Sequence, residues 1–293
     1  MTRIFLSHVA TTTVRYAVLI IALWLSCLNS RAAPLTWFPG PSTDSPISGA
    51  ATCISGGNNL LIGGDSDFSF ESFPEELVVT NLFWTPLVTM YGVQIACGAV
   101  PNGDYIVVYG GTDGSNSLST VIGYSPSGDG QTNFASMSVP RSYLGYAPDG
   151  SGRAYAIGGL DDNSQALSSA ERYDPDLNTW ATIASLPTPH YSFPAVFDKG
   201  SHIYIFGGRT NSVSGTETAT VLRYSVNSNT WTNMAPMPLA TAGSAAALGV
   251  DGKIYVVGGI TGGVTTNAVQ VYTPASNTWV ISTPLPEALS ATG

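Results

Sequence analysis

A pair of adjacent glycines closing a short apolar run recurs five times along this chain, as Gly63-Gly64, Gly110-Gly111, Gly158-Gly159, Gly207-Gly208 and Gly258-Gly259, at intervals of 47, 48, 49 and 51 residues. A period near 50 confines the chain to a repeat architecture, because a unit of that size cannot bury its apolar faces alone and must stack on its neighbours. Each doublet closes a short apolar run such as Ile254-Tyr255-Val256-Val257. A turn dipeptide stands before each run: Gly56-Gly57, Asn102-Gly103, Asp149-Gly150, Lys199-Gly200 and Asp251-Gly252. Such dipeptides join two antiparallel strands into a hairpin. In the last unit, residues 241–248 and 253–257 form that hairpin, Ala268 to Tyr272 a third strand and Thr278 to Ile281 a fourth. The expected fold is all-β, built from four-stranded antiparallel blades. The doublets read as structural glycines rather than a phosphate cradle, since no helix and no GxxxxGK[ST] run follows any copy.

An aromatic residue follows each doublet at near-constant distance: Trp84, Phe134, Trp180, Trp231 and Trp279. In three units a tyrosine sits seven residues before the tryptophan, as in Tyr173-Asp-Pro-Asp-Leu-Asn-Thr-Trp180, Tyr224-Ser-Val-Asn-Ser-Asn-Thr-Trp231 and Tyr272-Thr-Pro-Ala-Ser-Asn-Thr-Trp279. In its Gly-Gly, spaced Tyr and Trp, and recurring Asn-Thr-Trp, the chain from about residue 35 to its end resembles the kelch-repeat proteins. The resemblance implies a β-propeller with five complete blades. Trp37 and Pro286-Glu287-Ala288-Leu289 supply the ends of a partial sixth, so the ring is expected to be either incomplete or closed on five.

The first 32 residues read as a signal peptide and residues 33–293 as the propeller domain. Arg3 and Arg15 precede a 13-residue apolar run from Tyr16 to Leu28, and Ser30-Arg31-Ala32 offers small residues for cleavage. The run is short of the ~20 residues that span a bilayer, so no membrane span is expected after its removal. The expected location is extracellular or periplasmic, with the chain as a monomer. Only 10% of residues are charged and the net charge is -9, which disfavours nucleic acid and anionic membranes as partners. Cys53 and Cys97 fall in the first strands of consecutive blades, and either a blade-to-blade disulfide or two buried thiols is compatible with that placement.

In such a blade the lead-in to the first strand and the loop after the second emerge on one side, and irregular sequence collects there. The positions after the prolines carry Arg141, His190, Leu239 and Glu287, and the loops after the doublets carry Asp65, Asp67, Asp113, Asp161, Asp162 and Arg209. The candidate ligand face is therefore Arg141, His190, Glu287, Arg209, Asp65 and Asp161, for a protein or glycan. Its histidine is expected to be solvent-exposed.

No catalytic set emerges. Gly64-Asp65-Ser66 is an accident of the repeat, and the Asp65/Asp67 and Asp161/Asp162 pairs lack a calcium-binding register. No metal and no cofactor are expected. Galactose-oxidase-like copper enzymes need a His/Tyr/Cys set that His190 and His202 do not supply. In sialic-acid mutarotases a glutamate replaces the second glycine of one doublet, whereas all five doublets here are intact. The expected function is a secreted binding module, with a carbohydrate-active propeller as the alternative.

Overall fold

The computed structural model describes residues 95–125, 130–211 and 215–290 in full, and before residue 95 the backbone of six strands. The first two strands, β1 (Arg3–Ser7) and β2 (Thr36–Gly40), pair in parallel with Ile4 opposite Trp37. The rest form five four-stranded antiparallel blades. The first blade holds β3 (Ala51–Ser55), β4 (Asn58–Ile62), β5 (Glu75–Val78) and β6 (Phe83–Pro86). The second holds β7 (Gly98–Asn102), β8 (Tyr105–Tyr109), β9 (Val121–Tyr124) and β10 (Gln131–Asn133). The third holds β11 (Gly145–Pro148), β12 (Ala154–Ile157), β13 (Ala170–Asp174) and β14 (Thr179–Ile183). The fourth holds β15 (Ala195–Phe197), β16 (His202–Phe206), β17 (Val221–Ser225) and β18 (Thr230–Asn233). In the fifth, β19 (Ala245–Leu248), β20 (Ile254–Val257), β23 (Val269–Thr273) and β24 (Thr278–Ile281) carry an extra hairpin, β21 (Ile260–Thr261) with β22 (Val264–Thr265). The first strands of successive blades neighbour one another, β3 by β7, β7 by β11, β11 by β15 and β15 by β19. Among the described residues no helix is long and apolar enough to cross a membrane.

Apolar layers join successive blades. Second strands are buried along their length, as in Ala154–Ile157 and Ile254–Val257, because a neighbouring blade covers each face. Between the third and fourth blades Tyr155, Ile157 and Ile183 meet Phe193, Ile203, Ile205 and Tyr224. Between the fourth and fifth, Tyr204, Phe206 and Val221 meet Ile254, Val256 and Tyr272.

The Asn-Thr-Trp signature has a physical account in these contacts. Asn178, Asn229 and Asn277 sit at φ 49, 52 and 53°, the left-handed region that asparagine tolerates at a turn. The Asn229 Oδ1 accepts the Tyr224 hydroxyl at 2.8 Å and the Ala184 N–H of the preceding blade at 2.8 Å. The Trp231 indole then donates to the Ala184 carbonyl at 2.8 Å. Asn178 and Trp180 hold Ala135 in the same way, and Asn277 and Trp279 hold Ala235. Tyrosine, asparagine and tryptophan form one clasp, which is why their spacing recurs.

The doublets act where blades meet. Gly158 and Gly159 lie at φ 57 and 101°, and a Cβ on either would strike a carbonyl of a lead-in segment, that of His190 or of Ser142. Gly159 N–H donates to the His190 carbonyl at 2.9 Å, which fixes the next blade's lead-in on this one. Gly63-Gly64, Asp65 and the Cys53 side chain lie outside the described residues. Cys97 is buried, packed with Ala99, Ile106, Val108 and Tyr124.

Candidate functional site

The lead-in segments and the post-doublet loops do share one side. Ser142 and Leu160 exchange backbone hydrogen bonds of 3.0 and 2.7 Å, and Tyr191 with Arg209 and Ala242 with Ile260 repeat the exchange. The post-doublet residue bridges a second time, Thr112 to Ser117, Leu160 to Ala166 and Arg209 to Glu217. The second to fourth blades thus each raise a three-chain ledge above the sheet, which the fifth blade extends into the β21–β22 hairpin. Sequence reading placed a loose polar loop here. The ledge was missed because its strands are too short to show alternation.

Inside the ledges runs a collar of backbone. Ala96, Tyr143, Ser192 and Gly243 occupy equivalent positions at φ 54, 50, 57 and 58°. Tyr143 N–H donates to the Ala96 carbonyl at 3.0 Å, Ser192 N–H to Tyr143 at 2.8 Å and Gly243 N–H to Ser192 at 2.8 Å. The left-handed turn aims each amide at the blade before it, and the mouth of the propeller is thereby held rigid.

Arg141 and His190 do not face solvent. Both are 0% exposed, which corrects their assignment to an open ligand face and the exposure expected of the histidine. The Arg141 guanidinium donates to the carbonyls of Gly158 and Ser169, each at 2.8 Å, and to Glu171 Oε1 at 2.9 Å. Glu171 also accepts the Ser138 and Val139 amides at 2.8 and 3.1 Å, and so pins the lead-in to β13. Burial pulls the guanidinium's pKa below its ordinary value while Glu171 opposes that pull. The partner lies thirty residues away, a pairing invisible to local pattern.

His190 Nδ1 lies 2.8 Å from the Thr188 carbonyl. A carbonyl only accepts, so Nδ1 carries the proton and Nε2 is the bare nitrogen, buried without a hydrogen-bond partner. Burial lowers the imidazole pKa, against a smaller opposite effect of the Thr188 hydrogen bond. On β17 the place of Glu171 is taken by Leu222, so the fourth blade has no carboxylate at this register position.

Glu287 is also out of register with these two. The doublet amides Gly111, Gly159, Gly208 and Gly259 bond the carbonyls of Arg141, His190, Thr241 and Leu289, which are therefore the equivalent residues. Glu287 matches Leu239, two positions earlier. Each of the four follows by four a buried Met137, Leu186, Met237 or Leu285, and counting from that anchor gives the register that counting from proline does not. In the fifth blade Gln270 takes the role of Glu171, bonding Leu239 N–H at 2.8 Å and the Thr241 hydroxyl at 3.2 Å.

The remaining candidates stand on the ledges. Arg209 donates to Glu217 at 3.0 Å across its ledge, both partly buried. Asp161 accepts the Asn163 and Gln165 amides at 2.8 Å each, and Asp113 those of Ser115 and Asn116 at 2.8 and 2.7 Å. The amides of Asn116 and Ser115 hold the Asp113 carboxyl below its usual range. Asp162 reaches the Ser117 amide of the preceding blade. These carboxylates shape loops, and among the described residues no three metal-capable side chains converge. The ledge tips Gly114-Ser115-Asn116, Asn163-Ser164-Gln165 and Gly262-Gly263-Val264-Thr265 are exposed, with the exposed carboxylates Asp113 and Asp162 beside the first two and the apolar Val264 in the third.

Stacked four-stranded blades joined first strand to first strand define a β-propeller. The solved structure titled "Structure of YjhT" shares the fold with a TM-score of 0.74 at 15% identity, over 86% of this chain and 88% of that one. The KLHDC2/KLHL20/DRC7 Kelch-repeats domain matches residues 147–291. Kelch-like protein 25 of Xenopus tropicalis is 36% identical over 111 residues, 38% of this chain and 18% of the relative. Alpha-scruin of Limulus polyphemus is 35% identical over 107 residues, 36% of this chain and 11% of the relative. The chain spans under a fifth of the length of either. With its doublets and clasps, and with residues 147–291 matched by the Kelch-repeats domain, the chain carries kelch repeats.

Proposed function

We propose that this protein is an exported recognition module that binds a protein partner through the ledge side of the propeller. The observation that supports this reading most is how the mouth is built. The candidate site residues Arg141 and His190 are sealed 0% exposed in blade junctions, while the ledge tips are exposed and differ in sequence from blade to blade. A rigid base carrying variable polar tips suits recognition by shape and hydrogen bonding. The matched kelch-like relatives are consistent with a binding role. Export rests on the first 32 residues.

The test compares two sets of variants in partner capture from the native extracellular fraction. One replaces the ledge tips Gly114–Asn116 and Asn163–Gln165 with glycine and serine; the other alters the turns at Gly103-Asp104 and Asp176-Leu177. Loss of the captured protein in the first set only is expected. Equal loss in both, or retention on a glycan panel with no protein captured, would overturn the reading. Export is tested by N-terminal sequencing of protein recovered outside the cytoplasm, which should begin at Ala33.

A further inference from the structure

The fifth blade departs from its siblings in a way its place in the ring does not require. From Ile254 to Pro286 the chain carries no Lys, Arg, Asp or Glu. Where β13 has Arg172 and β17 has Arg223, β23 has Val271, each paired with the outer strand of its blade. Opposite these residues stand Ala181, Thr232 and Val280, followed by Thr182, Asn233 and Ile281. The outermost strand of the fifth blade is thus apolar where the third and fourth blades are small or polar. Val280 is 60% and Ile281 55% exposed.

β24 is the last strand of its sheet. Successive residues of a strand point to opposite faces, so Val280 and Ile281 make both sides of this edge apolar. An edge of that kind is a template for one more strand, and proteins usually guard such edges with charge. The strand itself and the described residues of its sheet from Ile254 on carry none.

We propose that β24 is a self-association edge, pairing antiparallel with the same strand of a second copy. Charge selects the occupant. Two copies with a net charge of -9 each repel over most of their surface and can approach most closely where neither is charged. A basic partner finds no carboxylate here to recognise. A twofold axis through Val280, perpendicular to the sheet, keeps every side chain on its own face. It sets Val280 against Val280 of the partner subunit, and Trp279 against Ile281 of the partner subunit. Four residues of edge bury far less than the ~1,600 Å² of a standard interface, so the dimer is weak, with a dissociation constant on the order of 10–100 µM. The monomer expected from sequence is the dilute form of this equilibrium.

Sedimentation velocity on the full chain, from about 1 to about 300 µM, should show monomer passing into dimer. Val280→Lys and Ile281→Asp, each melting like wild type, should raise the dissociation constant at least about tenfold. Mixing Val280→Lys with Val280→Asp should restore a dimer, because the twofold brings those two positions together. A chain that stays monomeric throughout, a dimer indifferent to both substitutions, or a mixture that fails to associate would each overturn the proposal.

Discussion

Glu171→Leu is the sharpest test of how the blades are joined. The substitution copies the fourth blade, where Leu222 holds the equivalent place, but leaves Arg141 behind it. The Arg141 and Glu171 side chains are 0% and 2% exposed, so the orphaned guanidinium cannot reach water. Breaking a buried pair from one side costs about 3–5 kcal/mol, and here the Ser138 and Val139 amides lose their acceptor too. A loss of about 4 kcal/mol in a domain of this size lowers the melting temperature by about 8–16 °C. The control is Arg141→Thr with Glu171→Gln, which reproduces the Thr241 and Gln270 pair of the fifth blade and removes both charges. It forfeits the guanidinium's packing and its bonds to Gly158 and Ser169, yet should recover about half of the loss. Thermal melts followed by circular dichroism, with urea midpoints as a check, measure both. A Glu171→Leu protein melting within about 2 °C of wild type would refute the argument. A double variant no better than the single would show that packing, and not the stranded charge, is what matters.

Three further outcomes are expected. Asn229→Ala removes the acceptor for Tyr224 and Ala184 and should cost about 2 kcal/mol in a urea titration, whereas Asn229→Asp, which keeps the oxygen, should stay close to wild type. His190 is neutral in the fold with a lowered pKa, so the unfolded chain binds its proton more readily. Stability from this group is complete above about pH 6.5 and falls as pH drops through the lower folded value, and His190→Gln should flatten that part of a pH series of urea midpoints. Burial, and for Tyr255 the nearby Asp251, pushes Tyr255 and Tyr272 up to about 12, so their contribution is complete below the ordinary tyrosine pKa and is lost as pH climbs toward 12. Alkaline melts of Tyr255→Phe should fall less steeply than those of wild type.

The fold was legible because its determinants are local and repeated. A doublet, a turn dipeptide and Asn-Thr-Trp each encode a backbone shape within a few residues, and their recurrence sets the blade count. The face was legible too, since strand number alone decides which connections share a side. What lay hidden was the fate of single side chains. Arg141 looks like a loop cation until Glu171, thirty residues on, is seen to bury it, and His190 looks like a loop base until its bare Nε2 proves sealed. The register of Glu287 was obscured by a proline that moves relative to the buried Met or Leu anchor, so the same Pro-X pair marks different positions in different blades. The ledges were hidden by their brevity.

The clasps and the collar point in one direction along the chain. Tyr143 reaches back to Ala96, Ser192 to Tyr143, Trp180 to Ala135 and Trp231 to Ala184. Every one of these bonds asks only for residues already synthesised. A chain emerging from the ribosome can therefore seat each blade on a finished predecessor, while the donors that a blade leaves open, Gly159 N–H and Ala184 N–H among them, are filled by the blade that follows. Each finished blade is thus a template that offers both a collar carbonyl and a waiting doublet amide to the lead-in of the next.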